Sequence, residues 1–278
     1  MTAPIKLSHP PTRQFWEIPV LHEDDQILAL DKPADLPVSP LREDPEYPCL
    51  VGLLHAAIRS RAPWTLARGL TTVSPAHRVD SEMSGALLLA KSRAALAHLA
   101  NQFGSEAVRL VCLALAQGGP LEDTFTADLR LAPDAARPGR LRADPQAGRR
   151  SITRFVVLER FAGYTLLRAE PLTHRVHQIR AHLRSRHAPV VGDPAYGGSL
   201  LLLSRLKPDY RFKRHRDELP LLGRPALHIE ELTVQHPATG EPLTIRSPWP
   251  KDLTVAVKYL RRYAPAPLSP ARPPALDR

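Results

Sequence analysis

Cysteine is nearly absent from this chain: Cys49 and Cys112 are the only two in 278 residues. Two thiols make neither a disulfide framework nor a zinc site. Aromatic residues fall to 5%, which argues against a sheet that stacks several bases on exposed rings. No apolar run nears the roughly 20 residues that a membrane span needs. No basic start followed by an apolar block marks a secretory signal. The expectation is a soluble cytoplasmic protein with no membrane partner. Lysine is scarce as well. Of 38 Lys plus Arg only seven are Lys, so 38 − 7 = 31 are Arg.

That excess of arginine is the first positive signal. Net charge is +10 and the sequence pI is near 10.0. The guanidinium is a planar fork that suits phosphate and stays charged at any working pH. A polyanion, most simply a nucleic acid, is the partner such a charge implies. A coding preference for Arg, Ala and Pro contributes to the same composition.

Hydrophobic spacing divides the chain into short elements. Residues 1–17 carry three prolines and little pattern and read as an N-terminal arm. Val20 to Leu30 reads as strand, turn and strand, ended by Lys32-Pro33. Leu50 to Ile58 fits a short helix. Ala86 to Ala90 reads as a buried strand, Ser92 as the N-cap of a helix through Phe103, and Val108 to Ala116 as another strand. Ile152 to Leu158 and Tyr164 to Glu170 pair around Phe161-Ala162-Gly163. His177 to His187 reads as a helix with Ile179 and Leu183 on one face. Ala226 to Val234 and Pro242 to Ile245 form a hairpin, and Asp252 to Tyr263 a closing helix. The Pro-rich end, 264–278, reads as a disordered tail. Many strands with few helices between them predict an α+β fold with a mixed, mainly antiparallel sheet, its one domain spanning 18–263.

Two stretches stand out chemically. His77-Arg78-Val79-Asp80-Ser81-Glu82-Met83-Ser84-Gly85 puts charged groups on a loop running straight into a buried strand, with Asp80 at its centre. Arg175-Val176-His177-Gln178-Ile179-Arg180 and Gly192-Asp193-Pro194-Ala195-Tyr196-Gly197 lie far along the chain. Together with Lys32-Pro33, these segments resemble, in order, the motifs of the RluA family of RNA pseudouridine synthases. The segments Arg224-Pro225-Ala226-Leu227-His228 and His236-Pro237…Thr239-Gly240-Glu241 resemble that family's last strands. The resemblance spans roughly residues 18–255, and four motifs in the right order are far more specific than one.

What the resemblance implies is a pseudouridine synthase-like fold with flanking helices and a central cleft. It further implies isomerisation of uridine to pseudouridine in a structured ribosomal or transfer RNA, by a monomer with no cofactor and no metal. Asp80 is then the catalytic aspartate, acting as nucleophile or as base at the sugar. Arg175 is expected to pair with it and keep it ionised, since a carboxylate in a closed pocket otherwise protonates. Ile179 packs against the base, Arg180 is expected to bind the substrate beside it, and Arg78 enters the helix stack when the uridine flips out. Arg211, Lys213 and Arg214, in the basic run 205–216, and the arginines of 137–150 are expected to contact phosphates.

Some residues depart from that pattern. The family tyrosine of a Lys-x-Tyr-x-Ala strand falls on Cys112, which can neither stack on uracil nor supply a phenol. Asp35 stands where the family has Gly, in a turn whose left-handed backbone Asp tolerates better than most residues. The Cys112 departure leaves a second reading: a weakened or non-catalytic RNA-binding or RNA-folding protein on the same scaffold. Retention of Asp80 and Arg175 together opposes it. A zinc site among His174, His177, His182 and His187 is not expected. His177 and His182 sit about 500° apart around a helix, and no matching carboxylates follow.

Overall fold

Apolar runs of five to nine residues, too short for most helices, become the strands of one large sheet. The structure, a computed structural model, describes residues 2–41, 43–105, 107–212 and 217–266. In chain order the first elements are strands β1 (Ile5–His9), β2 (Gln14–Ile18), β3 (Val20–Glu23) and β4 (Ile27–Lys32) and helices α1 (Leu50–Arg59) and α2 (Pro63–Ala67). There follow β5 (Ser74–Pro75), β6 (Ser84–Ala90), α3 (Arg93–Gly104), β7 (Arg109–Gln117), β8 (Thr124–Pro133), β9 (Leu141–Ala143), β10 (Arg149–Phe161) and β11 (Tyr164–Pro171). The chain then forms α4 (Gln178–Ser185), α5 (Leu203–Leu206), β12 (Leu227–Gln235), β13 (Pro242–Arg246) and α6 (Lys251–Tyr263).

The main sheet runs β3-β4-β6-β12-β7-β11-β10-β8-β9, with β5 added to β6 and β13 to β12. Its pairs are antiparallel except β6 with β12, where Ser84 lies opposite His228 and Gly85 opposite Ile229. That parallel joint explains Gly85. Its φ is +115°, and a Cβ there would lie 2.3 Å from the Ile229 carbonyl oxygen, so no side chain fits.

Strands β4 and β6 are apolar without alternation because both of their faces are buried. Ile27, Ala29, Ala86, Leu88 and Ala90 face the larger core, shared with β7, β11, β12, α3 and α6. Leu28, Leu30, Leu87 and Leu89 face a second core with α1. Ile5, Leu7 and Ile18 belong to that second core too. Residues 5–18 are therefore not a loose arm. β1 and β2 pair as a hairpin that covers the sheet, turned through Pro10-Pro11. The alternation of Ile5 and Leu7 was too short to stand out beside three prolines.

Helices α1, α3, α4 and α6 and strands β3, β4, β6, β7 and β10 to β13 lie within a few residues of the segments read from the sequence, and Ser92 caps α3, its Oγ accepting the Ala95 N–H at 3.1 Å. Asp35 has φ 61°, the left-handed turn expected of it. Lys213, Arg214 and residues 267–278 lie outside the described residues. Among the described residues no helix is long and apolar enough to cross a membrane.

Candidate active site

Asp80 sits on the loop that enters β6, and the loop is anchored from beneath. Lys32, at the end of β4, is fully buried. Its Nζ donates to the carbonyls of Pro33, Ser81 and Met83 at 2.7, 2.9 and 2.7 Å. Burial pulls its pKa down to about 7, opposed by Asp35, Asp80 and Glu82. Three converging carbonyls need three N–H donors, which the ammonium has and the neutral amine lacks. Lys32 thus ties the end of β4 to Ser81 and Met83 in the turn after Asp80, which the Met83 N–H closes by donating to the Asp80 carbonyl. His77, earlier in the loop, accepts the Leu88 N–H on Nε2 at 3.1 Å and stacks on Phe103. Burial, with help from His174, pushes its pKa down to about 4.

Helix α4 supplies the opposite wall. It begins at Gln178, so its first turn buries Gln178, Ile179 and Arg180. Arg180 is 2% exposed and grips Asp193 with two bonds, Nε at 2.7 Å and Nη2 at 2.8 Å. Its remaining nitrogen, Nη1, lies 3.4 Å from Asp80 Oδ2. Burial works against the guanidinium charge, and the carboxylates of Asp193, Asp80 and Glu82 overcome it and raise the Arg180 pKa. Asp193 is itself held close by Gly192. That glycine has φ +73°, and a Cβ on it would meet the Arg224 carbonyl oxygen at 2.2 Å.

The pairing expected of Arg175 therefore belongs to Arg180. Arg175 precedes the helix, on an exposed stretch with Val176, and its Nη1 reaches the His174 carbonyl at 3.5 Å. The two arginines are five residues apart, and only the one inside the first helical turn faces the core. His177 completes the carboxylate's surroundings. It precedes α4 in a left-handed conformation, φ 54°, with Nε2 3.7 Å from Asp80 Oδ2 and Nδ1 3.2 Å from the Tyr196 hydroxyl.

His77, Asp80, His177 and Arg180 line one cavity of about 570 Å³, large enough for a nucleobase and its sugar. Cys112, Leu110 and Ile229 form its apolar side; Ile179 lines it beside Arg180. Cys112 is fully buried, and burial, with Asp80 and Glu230, raises its thiol pKa, so it remains a neutral thiol. Arg78, Arg149 and Arg175 also line the cavity, and all three are exposed. Arg211 is exposed and does not line it. Sequence reasoning passed over His177, Asp193 and Tyr196, although each lies inside a recognised segment. Their roles depend on contacts between segments that spacing alone does not reveal. No group of three His, Cys, Asp or Glu among the described residues is placed to hold a metal.

A family model described as RNA pseudouridylate synthase matches residues 26–185, from β4 through α4, and so takes in Lys32, Asp80 and Arg180. The chain belongs to this family. Its relatives include the ribosomal large subunit pseudouridine synthase D of Xanthomonas campestris pv. campestris, 36% identical over 244 residues, which cover 87% of this chain and 69% of that protein. The synthase C of Escherichia coli K12 is 34% identical over 245 residues, 87% of this chain and 70% of that one. Among solved structures, human RNA pseudouridylate synthase domain containing 4 shares the fold with a TM-score of 0.64 at 19% identity, covering 87% of this chain and 92% of that one. The pseudouridine synthase fold is thus one mixed, mainly antiparallel sheet with its cleft between the Asp80 loop and α4.

Proposed function

We propose that this chain isomerises uridine to pseudouridine in ribosomal RNA of the large subunit, with Asp80 as its catalytic carboxylate. The observation that carries this reading is the Asp80–Arg180–Asp193 array. It presents a carboxylate to a base-sized cavity, with a permanent cation 3.4 Å away and a second, fully buried carboxylate neutralising that cation from behind. The ribosomal target follows the names of the relatives, which are large-subunit synthases.

The reaction breaks the bond from N1 of uracil to C1′ of ribose and makes one from C5. Asp80 acts at the sugar, as nucleophile on C1′ or as base beside it. Arg180 supports the carboxylate through both halves of the reaction, because a guanidinium does not deprotonate. Ile179, Cys112, Leu110 and Ile229 hold the detached base in a dry cavity while it turns. Arg78 and Arg175, exposed at the cavity, meet the flipped nucleotide and its phosphates. Arg211, with Lys213 and Arg214, extends phosphate contact along the RNA.

The second reading, an RNA binder without chemistry, is not favoured. A carboxylate ringed by Arg180 and His177 weakens phosphate binding, so an RNA binder gains nothing from it. Single-turnover conversion of a large-subunit ribosomal RNA fragment tests the proposal. Parent protein should form pseudouridine and Asp80→Asn none, with RNA affinity retained. Equal activity of the two proteins would sink it.

A further inference from the structure

We propose that His177 is the proton carrier of the reaction, the group whose Nε2 takes the hydrogen from C5 of uracil. This rests on the pseudouridine reading and names a step which that reading leaves without a residue. When C5 bonds to C1′ it still carries its hydrogen, and N1 is doubly bonded to C6. The C5–H bond must then break, its electron pair forming the C5–C6 double bond. The displaced pair moves onto N1, which takes a proton. One proton leaves carbon and one arrives on nitrogen, so a base that delivers what it took ends unchanged.

The geometry singles out His177 for this step. Its Nε2 lies 3.7 Å from Asp80 Oδ2. Asp80 works at the sugar, and C5 ends up bonded to that sugar, so a base beside Asp80 is within reach of the hydrogen on C5. Reacting atoms need to come to about 3–3.5 Å. The other cavity groups are committed or unsuited. His77 uses Nε2 to accept the Leu88 N–H, and the Cys112 thiol is held neutral in an apolar wall. Arg78, Arg175 and Arg180 are never bases. His174 packs against Phe103 in a T-shaped ring contact, centroids 5.7 Å apart.

The far nitrogen of His177 is also prepared. Tyr196 Oη accepts the Leu141 N–H at 2.8 Å and lies 3.2 Å from His177 Nδ1. A phenol oxygen has room for a second donor. While Asp80 is anionic it favours a hydrogen on Nε2. While C1′ is bonded to Asp80 that charge is spent, and Tyr196 can hold the hydrogen on Nδ1 and leave Nε2 bare. When C5 displaces Asp80 from C1′, the carboxylate returns 3.7 Å from Nε2 and favours the imidazolium that forms as the C5 proton is taken. The ring is mostly buried, with Asp80, Glu82, Arg180, Asp193 and Tyr196 as its charged or titratable neighbours. Burial, which lowers its pKa, keeps it neutral and able to accept. The left-handed φ of 54° at a non-glycine residue is a local strain of the kind that collects at reactive sites.

The test compares uridine RNA with the same RNA deuterated at C5, in single turnovers of parent, His177→Gln, Tyr196→Phe and His174→Gln. His177→Gln should slow product formation about 10²-fold or more, the usual worth of a positioned base. It should also make the rate more sensitive to deuterium than the parent's, with partial rescue by added imidazole. Arg180 Cζ lies 5.1 Å over the Tyr196 ring. Tyr196→Phe keeps that ring and should show the same sensitivity with a smaller loss; it decides the matter if His177→Gln does not fold. His174→Gln should show no added sensitivity. A His177→Gln enzyme that loses less than about ten-fold, or loses rate with the parent's isotope response, overturns the assignment, as does the isotope response moving to His174→Gln. If the parent itself makes no pseudouridine while binding the RNA, the reading of the whole site falls instead.

Discussion

The two walls of the cavity are held in place by opposite means. Under the Asp80 loop, Lys32 fixes main chain: a compact ammonium meets three carbonyls arriving from different directions. In α4, Arg180 fixes side chains: a planar fork meets the flat Asp193 carboxylate with two bonds and keeps one nitrogen for Asp80. The difference follows from the shapes of the two cations. It also divides their labour, since Lys32 sets where the Asp80 backbone runs and Arg180 sets where its carboxylate rests.

The harshest way to break the comparison is to take the carboxylate from the α4 wall. Asp193→Ala leaves a guanidinium that is 2% exposed with only Asp80 and Glu82 near it. Removing one partner of a buried ion pair costs about 3–5 kcal/mol. Denaturant unfolding should show that loss, and Arg180 should then draw closer to Asp80 and suppress its reactivity. Lys32→Met attacks the other wall. It takes the donor from three carbonyls, that of Met83 buried and those of Pro33 and Ser81 half-buried, but also relieves a buried charge, so the net cost should be lower, about 2–3 kcal/mol. Conversion should nonetheless fail, because the loop loses its register. A Lys32→Met protein with parental turnover would show that the loop holds its shape without the ammonium.

Acid sharpens the comparison by loosening both walls at once. His182 lies in α4 with Nδ1 2.9 Å from the Thr153 hydroxyl, and His228 lies on β12 with Nδ1 2.9 Å from the Ser84 hydroxyl, at the root of the Asp80 loop. Both are fully buried, and burial pushes each pKa from 6.5 down to about 4. The unfolded chain therefore binds more protons than the fold between these values, and stability falls as pH falls through this window. Each imidazole should remove about 1 kcal/mol between pH 7 and pH 5.5. His182→Gln and His228→Gln should each flatten the curve of unfolding free energy against pH by that amount. A curve unchanged in slope would place the acid response elsewhere.

How much of this was legible beforehand differs by scale. Strands β6 and β7 and helix α4 were readable because their apolar residues follow a period or run unbroken. The position of Asp80 was readable because a polar loop enters a buried strand. The partner of Asp80 was not. Arg175 and Arg180 are the same residue type in one motif, and only the start of the helix at Gln178 decides which is buried. The β1–β2 hairpin was missed for a related reason: Ile5 and Leu7 gain meaning only against α1 and β4, which come later in the chain.

The smallest expected effect lies at Arg175, and it tests that distinction directly. Arg175 is exposed at the cavity, where Arg180 is buried. Arg175→Ala should change stability by no more than about 0.5 kcal/mol, as surface substitutions usually do. It should remove one phosphate contact, lowering the slope of log affinity against log salt by about 0.7–0.9. Turnover at saturating RNA should be close to parental, because the Asp80–Arg180–Asp193 array is intact without it. Arg180→Ala should do the reverse, removing turnover while leaving the salt slope nearly unchanged, since a guanidinium this buried does not meet phosphate. Measuring both slopes and both saturating rates separates the two residues. An Arg175→Ala enzyme that binds RNA normally but turns over as poorly as Arg180→Ala would mean that RNA draws Arg175 inward onto Asp80, so that the Asp80 carboxylate has two guanidinium partners in the complex and one outside it.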